Sequence, residues 1–150
     1  MENYEKVFKD FLKTRKLKYT RERETIIKAI FSTHDHFDAE DLEWRLRENK
    51  QKISKATIYR TLDILIKSKL ITEHEIGTDR RIFEHIHGHR HHDHLVCLSC
   101  GIFIEFDDER IEKMQDEVCR KLHFYPDRHS LKIFGLCRKC KIKTNDSDKN

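Results

Sequence analysis

Proline is nearly missing from this chain, at one residue in 150, and there are only four glycines, two methionines and one tryptophan. So little punctuation excludes collagen-like and low-complexity linker chains, whose backbones depend on those residues. No apolar run approaches the roughly 18 residues that a membrane span requires. The first twenty residues, Met1 to Thr20, are charged throughout and hold no apolar core, so they do not read as a secretory signal and the expected location is the cytoplasm. Neither sign of charge dominates: 31 Lys and Arg stand against 27 Asp and Glu, a net charge of +4. Hydrophobic residues amount to 37% but recur at regular spacings, which marks a polar, folded chain with room for one domain or two small ones, not for a large enzyme.

What is present is unevenly distributed. Residues 1–83 carry 19 basic against 15 acidic side chains, and residues 84–150 carry 12 of each. All five cysteines and eight of the eleven histidines lie in the second part. Excess positive charge and soft metal-binding groups thus occupy different segments, which suggests two parts with two tasks. Four cysteines form two C-x-x-C pairs, Cys97/Cys100 and Cys137/Cys140, and Cys119 is left over. In a reducing compartment this pattern reads as metal rather than disulfide. Two thiolates on each of two tight turns complete the four-sulfur shell of a structural Zn2+. Gly101 suits the sharp backbone of the first turn. Cys119, beside Val118 and Leu122 in a helical pattern, reads as a half-buried thiol.

In the first segment, Val7, Phe8, Phe11 and Leu12 predict a helix over Tyr4 to Lys16. Thr20 is the predicted N-cap of a second helix with Ile26, Ile27, Ile30 and Phe31 inside. Asp38 caps a third that carries Leu42 and Leu46, and Ser54 caps a fourth from Lys55 to about Ser68 with Ile58, Leu62, Leu65 and Ile66 buried. Strand-like runs at Leu70 to Glu75 and Arg80 to Glu84 flank a Gly77-Thr78-Asp79-Arg80 turn, a hairpin signal. Helices closed by a hairpin describe a winged helix, a relative of the helix-turn-helix. The fourth helix leaves Lys55, Thr57, Tyr59, Arg60 and Lys67 off its apolar stripe. Arginine can fork onto guanine edges, and Tyr and Thr can meet thymine or phosphate. Arg80 and Arg81 are predicted to meet phosphates. Double-stranded DNA is therefore the expected partner of residues 1–83.

The second segment opens with Glu-His-Ile-His-Gly-His-Arg-His-His-Asp-His over residues 84–94. Strands are predicted at His94 to Leu98, Ile102 to Phe106 and His129 to Leu136, and a helix at Asp108 to Leu122. The charged tail from Lys141 lacks periodicity and is expected to fray. On a strand, His92 and His94 point one way, and His91 and Asp93 the other. Two cation sites of mixed imidazole and carboxylate donors are thereby sorted apart, of the kind that Fe2+, Mn2+, Co2+ or Zn2+ accepts. Glu84, Glu105, Glu112, His36 and His129 are available to complete them. His85, His87 and His89 read as a solvated run with adventitious metal affinity. No H-E-x-x-H helix or nucleophile elbow is present, so no enzyme is expected.

HHDHLVCLSCG (His91–Gly101) followed by IEF (Ile104–Phe106) resembles the signature of the ferric uptake regulator family of metal-responsive repressors. SKATIYRTLD (Ser54–Asp63), HFDAEDL (His36–Leu42), RIFE (Arg81–Glu84) and HSLKIFGLCRKC (His129–Cys140) extend the resemblance in order over nearly the whole chain. It implies an α+β protein: a winged-helix DNA-binding domain over 1–83, a hinge over 84–92, a small α/β dimerisation domain over 93–140 and a flexible tail over 141–150. By position, it implies a regulatory site of His36, Glu84, His92, His94 and Glu105 and a second site of His91, Asp93, Glu112 and His129. Cys97, Cys100, Cys137 and Cys140 match its structural zinc. Lys18 matches a minor-groove lysine, and Tyr59 and Arg60 match recognition-helix contacts. The run between Glu84 and His92 departs from the family pattern in being slightly longer and richer in histidine. Peroxide sensors of the family have Asp where Glu105 stands, and zinc sensors bring a Cys where Glu84 stands. The resemblance therefore implies an iron-sensing repressor of iron-homeostasis genes. It would be a homodimer on operator DNA, with structural Zn2+ and regulatory Fe2+ (Mn2+ or Zn2+ in vitro) and without a membrane or small-molecule substrate. A peroxide sensor of the same family and a metal-buffering protein are the alternative readings.

Overall fold

The computed structural model describes residues 3–33, 35–74, 80–88 and 92–147, and the chain divides into two compact units, residues 1–90 and 91–150. The first unit runs α1 (Tyr4–Thr14), α2 (Arg21–Phe31), α3 (Ala39–Glu48), α4 (Lys55–Lys67), β1 (Ile71–His74) and β2 (Ile82–His85). Each helix begins where a short polar side chain takes up an amide of its first turn. Thr20 accepts from the Arg23 amide and Ser54 from the Thr57 amide. Asp38 and Asp41 satisfy each other's amides in a capping box at the start of α3. Phe8, Ile26, Ile30, Leu42, Leu62 and Phe83, all buried, meet in one core with the other apolar stripe residues. Burial stabilises each such side chain by about 1.5–3 kcal/mol. β1 and β2 pair antiparallel, and Phe37 adds an isolated antiparallel bridge to Phe83 on the far edge of β2.

The second unit runs β3 (Asp93–Cys97), β4 (Phe103–Phe106), α5 (Glu109–Lys121), β5 (Lys132–Gly135) and α6 (Arg138–Ser147). Its sheet has the order β4-β3-β5, antiparallel on one side of β3 and parallel on the other. Leu95, Ile104 and Ile133 fall in register across the three strands and so share one face. All three are exposed, and α5 buries no residue.

Two features differ from expectation. Glu84 and His85 belong to strand β2 and not to a hinge, because the hairpin register carries pairing through Ile71↔His85. The segment after Cys140 is helical through Ser147. It has one large apolar residue, Ile142, so it shows no periodicity. The second cysteine turn nucleates it, through the Lys141 amide donating to the Cys137 carbonyl at 2.9 Å. Gly77, Thr78 and Asp79 of the expected turn lie outside the described residues. Among the described residues, no helix is long and apolar enough to cross a membrane.

Candidate metal centres and nucleic-acid interface

β3 ends at Cys97 and the chain turns through Cys100 to Gly101. The φ of +73° at Gly101 is a left-handed conformation that a side chain would strain. β5 ends at Gly135 and delivers Cys137, and the first turn of α6 supplies Cys140. The four sulfurs lie within 4.8 Å of one another, with 3.8 Å between those of Cys100 and Cys137. A tetrahedron built on zinc–sulfur bonds of about 2.3 Å has edges of about 3.8 Å. The Cys137 amide donates to the Cys97 sulfur at 3.3 Å. That bond, with a second from the Cys100 amide, pulls the Cys97 thiol down to about 6. The Ile102 amide favours the thiolate of Cys100, but the hydrogen-bonded Cys97 and burial prevail and push that thiol up to about 11. Cys97 and Cys100, shifted in opposite directions, resist ionising together in the absence of a cation. A set of soft, redox-silent sulfur donors fits Zn2+.

In the first unit, strand pairing decides which donors meet. The Phe37–Phe83 bridge, with hydrogen bonds of 3.0 and 2.7 Å, sets His36 beside Glu84. Nε2 of His36 lies 3.4 Å from Oε2 of Glu84. Across the hairpin Thr72 faces Glu84, and His74, two residues along β1, shares that face. Its Nε2 donates to the same Glu84 oxygen at 2.8 Å. Sequence reasoning missed His74: only the hairpin register reveals it, and the register follows from a turn whose geometry the sequence leaves open.

His85 also corrects the sequence reading. Expected in a solvated run, it is only 3% exposed. It follows Glu84 on a strand and therefore points to the opposite face. Its Nε2 donates to the Thr33 carbonyl at 2.6 Å, and its ring leans on Phe31 with centroids 4.8 Å apart. It is a packed, hydrogen-bonded core residue. His87 is partly exposed, and His89 and His91 lie outside the described residues.

In the second unit, alternation along β3 separates two donor sets. His92 and His94 stack edge to face at 4.9 Å. Glu105, opposite His94 on β4, lies 3.8 Å from Nε2 of His92. The other face carries Asp93, whose Oδ1 accepts from the Leu131 amide at 3.2 Å. Nε2 of His129 stands 3.8 Å from Asp93 and 3.2 Å from Glu112, and the three form one cluster of cation-ligand geometry.

On α4, Lys55, Tyr59 and Arg60 are exposed and Thr57 is half-buried, while Ile58, Thr61, Leu62 and Leu65 face inward. Arg60 reaches the Thr57 hydroxyl at 3.4 Å, and Lys55 stands 3.4 Å from Glu43. Lys18 is exposed ahead of α2. Arg80 and Arg81 are engaged internally. Arg80 donates to Asp38 at 2.6 Å. Arg81 donates to Glu73 at 2.6 Å and to Asp63 at 3.1 Å, which ties the hairpin to α4.

A winged helix with an outward polar recognition helix, followed by a small α/β unit rich in cation donors, defines a metal-binding regulator of the helix-turn-helix class. The model of the Ferric uptake regulator family matches residues 14–134, and the chain belongs to that family. The ferric uptake regulation protein of Campylobacter upsaliensis is 32% identical over 139 residues, 91% of this chain and 88% of the relative. The ferric uptake regulator of Helicobacter pylori, whose structure is described as revealing three functional metal binding sites, superposes with a TM-score of 0.81. It has 31% identity and covers 93% of this chain and 95% of its own. The Vibrio cholerae regulator, described as showing rearrangement of its DNA-binding domains, gives a TM-score of 0.74 at 37% identity over 84% of this chain and 96% of its own.

Proposed function

We propose that the protein is a homodimeric, metal-dependent DNA-binding repressor that senses ferrous iron and controls iron-homeostasis genes in the cytoplasm. It is a regulator and not an enzyme, as its family is. The observation that carries this reading is the separation of donors by chemistry. One cluster is all sulfur and suited to permanent zinc, while imidazole and carboxylate clusters in both units suit an exchangeable cation. A metal buffer would need the donors but not a winged helix with a solvent-facing polar stripe.

In this reading Cys97, Cys100, Cys137 and Cys140 hold structural Zn2+ and contribute to folding of the second unit. His36, Glu84, His92, His94 and Glu105 are the regulatory donors, and His91, Asp93, Glu112 and His129 those of a second site. A bound regulatory cation favours the chain arrangement in which its donors reach it, so metal and DNA strengthen each other by one common factor. Tyr59 and Arg60 read base edges in the major groove, Lys18 enters the minor groove, and Lys55 and Thr57 hold phosphates. Arg80 and Arg81, with their carboxylate partners, brace the hairpin. The homodimer is supported by the exposed sheet face of Leu95, Ile104 and Ile133 and by Met114 and Val118 of α5 with its C-cap Leu122, which are 66%, 49% and 72% exposed.

The test is binding of zinc-replete protein to operator duplex with and without Fe2+ under anaerobic conditions. Fe2+ should tighten binding roughly 5–150-fold, and Lys18→Ala should flatten the log–log salt dependence by about one unit. Equal affinity with and without the cation would overturn the regulatory reading.

A further inference from the structure

Glu84 lies in the middle of a three-strand arrangement, with His36 on one side and His74 on the other. Both Nε2 atoms approach one carboxylate oxygen, at 3.4 and 2.8 Å, and the two rings stand 5.4 Å apart. All three side chains are largely removed from solvent. Two imidazoles and one carboxylate on a single face form the donor set that Fe2+ accepts with further positions left open. Neither the family resemblance nor the sequence pattern includes His74.

We propose that His36, His74 and Glu84 form a cation site within the first unit, with His74 as a direct ligand, able to hold a divalent cation of the Fe2+ or Co2+ type without donors from the second unit. This deepens the iron-sensing reading and borrows from it only the identity of the effector. The physical ground is the buried carboxylate. Withdrawn from water, it is better stabilised by a cation shared with the two imidazoles than by their N–H groups alone. Zn2+ binds such donors more tightly than Fe2+, so the occupant in a cell follows availability.

The experiment uses the full chain, zinc-replete, carrying His91→Ala, His92→Ala, His94→Ala and His129→Ala to silence the second unit's imidazole sites, with Co2+ as the probe. This protein should bind one Co2+ per chain with a visible ligand-field spectrum. Adding His74→Gln should weaken binding about 10-fold or more and shift the spectrum, because one nitrogen donor is lost. Zinc content and thermal melting report whether the variant folds. If His74→Gln does not fold, His36→Gln, at the bridging segment, should give the same loss. No Co2+ uptake by the quadruple variant, or unchanged uptake on adding His74→Gln, overturns the proposal. A weaker affinity with an unshifted spectrum also overturns it, because His74 would then only orient Glu84. DNA binding is not read in this experiment, so loss of the repressor reading would leave its outcome intact.

Discussion

Tyr19 precedes the cap of α2, its ring edge-on to Phe8 at 6.1 Å and beneath the Lys9 ammonium at 4.7 Å. Burial, and then the charges of Glu5 and Glu24, push its hydroxyl up from 10.0 to about 12. The unfolded chain therefore releases this proton first. The resulting stability is complete below about pH 10 and is lost as pH rises towards about 12. Alkaline melting curves of Tyr19→Phe should lack that decline, and curves that fall like the wild type would contradict the assignment. His85 supports a second residue-scale expectation. His85→Ala leaves the Thr33 carbonyl without its buried donor and removes a ring from the core, which should cost about 1–3 kcal/mol in denaturant unfolding with zinc content unchanged. A variant as stable as wild type would return His85 to the solvated run in which sequence reading placed it.

At the scale of elements, the helices of the first unit are largely written in their own residues. Thr20, Asp38 and Ser54 cap where their side chains announce it, and the apolar stripes that follow are the ones that bury. The start of α3 carries more than a cap, because Asp38 also accepts from Arg80 and lies next to the Phe37 bridge. Asp38→Ala should therefore cost about 1–2 kcal/mol. The double variant with Arg80→Ala should cost less than the sum of the single changes, as coupled partners do. A strictly additive double-mutant cycle would show that the ion pair does not contribute. The strands were legible only in outline. β5 covers only part of its alternating pattern, β2 runs past its own to His85, and α6 is invisible to periodicity because it presents no apolar stripe.

For the whole molecule, the two units differ in what holds them together. The first has a closed core of large aliphatic and aromatic side chains. The second buries few of its apolar residues and carries the four-sulfur cluster. Zinc removal or Cys97→Ser should lower the melting temperature of the second unit while leaving the helical first unit folded. A single unshifted transition would contradict that division. Exposed Val118 and Leu122 belong to the surface expected to close between two copies. Val118→Asp with Leu122→Asp should yield monomer in sedimentation and weaken operator binding. A variant that sediments as a dimer would show that the subunits meet elsewhere.

Local chemistry carried much of this protein's plan in the chain itself. Helix caps, apolar periods, paired cysteine turns and the alternation of His92, Asp93 and His94 are each set by residues a few positions apart, so they can be read directly. Tertiary structure alone decided the rest: that His74 joins His36 at Glu84, that His85 turns into the core, and that Arg80 and Arg81 are engaged by Asp38, Glu73 and Asp63. Those outcomes depend on strand register and on charge pairs up to 42 residues apart. A one-residue slip in register sends every side chain of a strand to the opposite face, and no local pattern records which register the packed core selects.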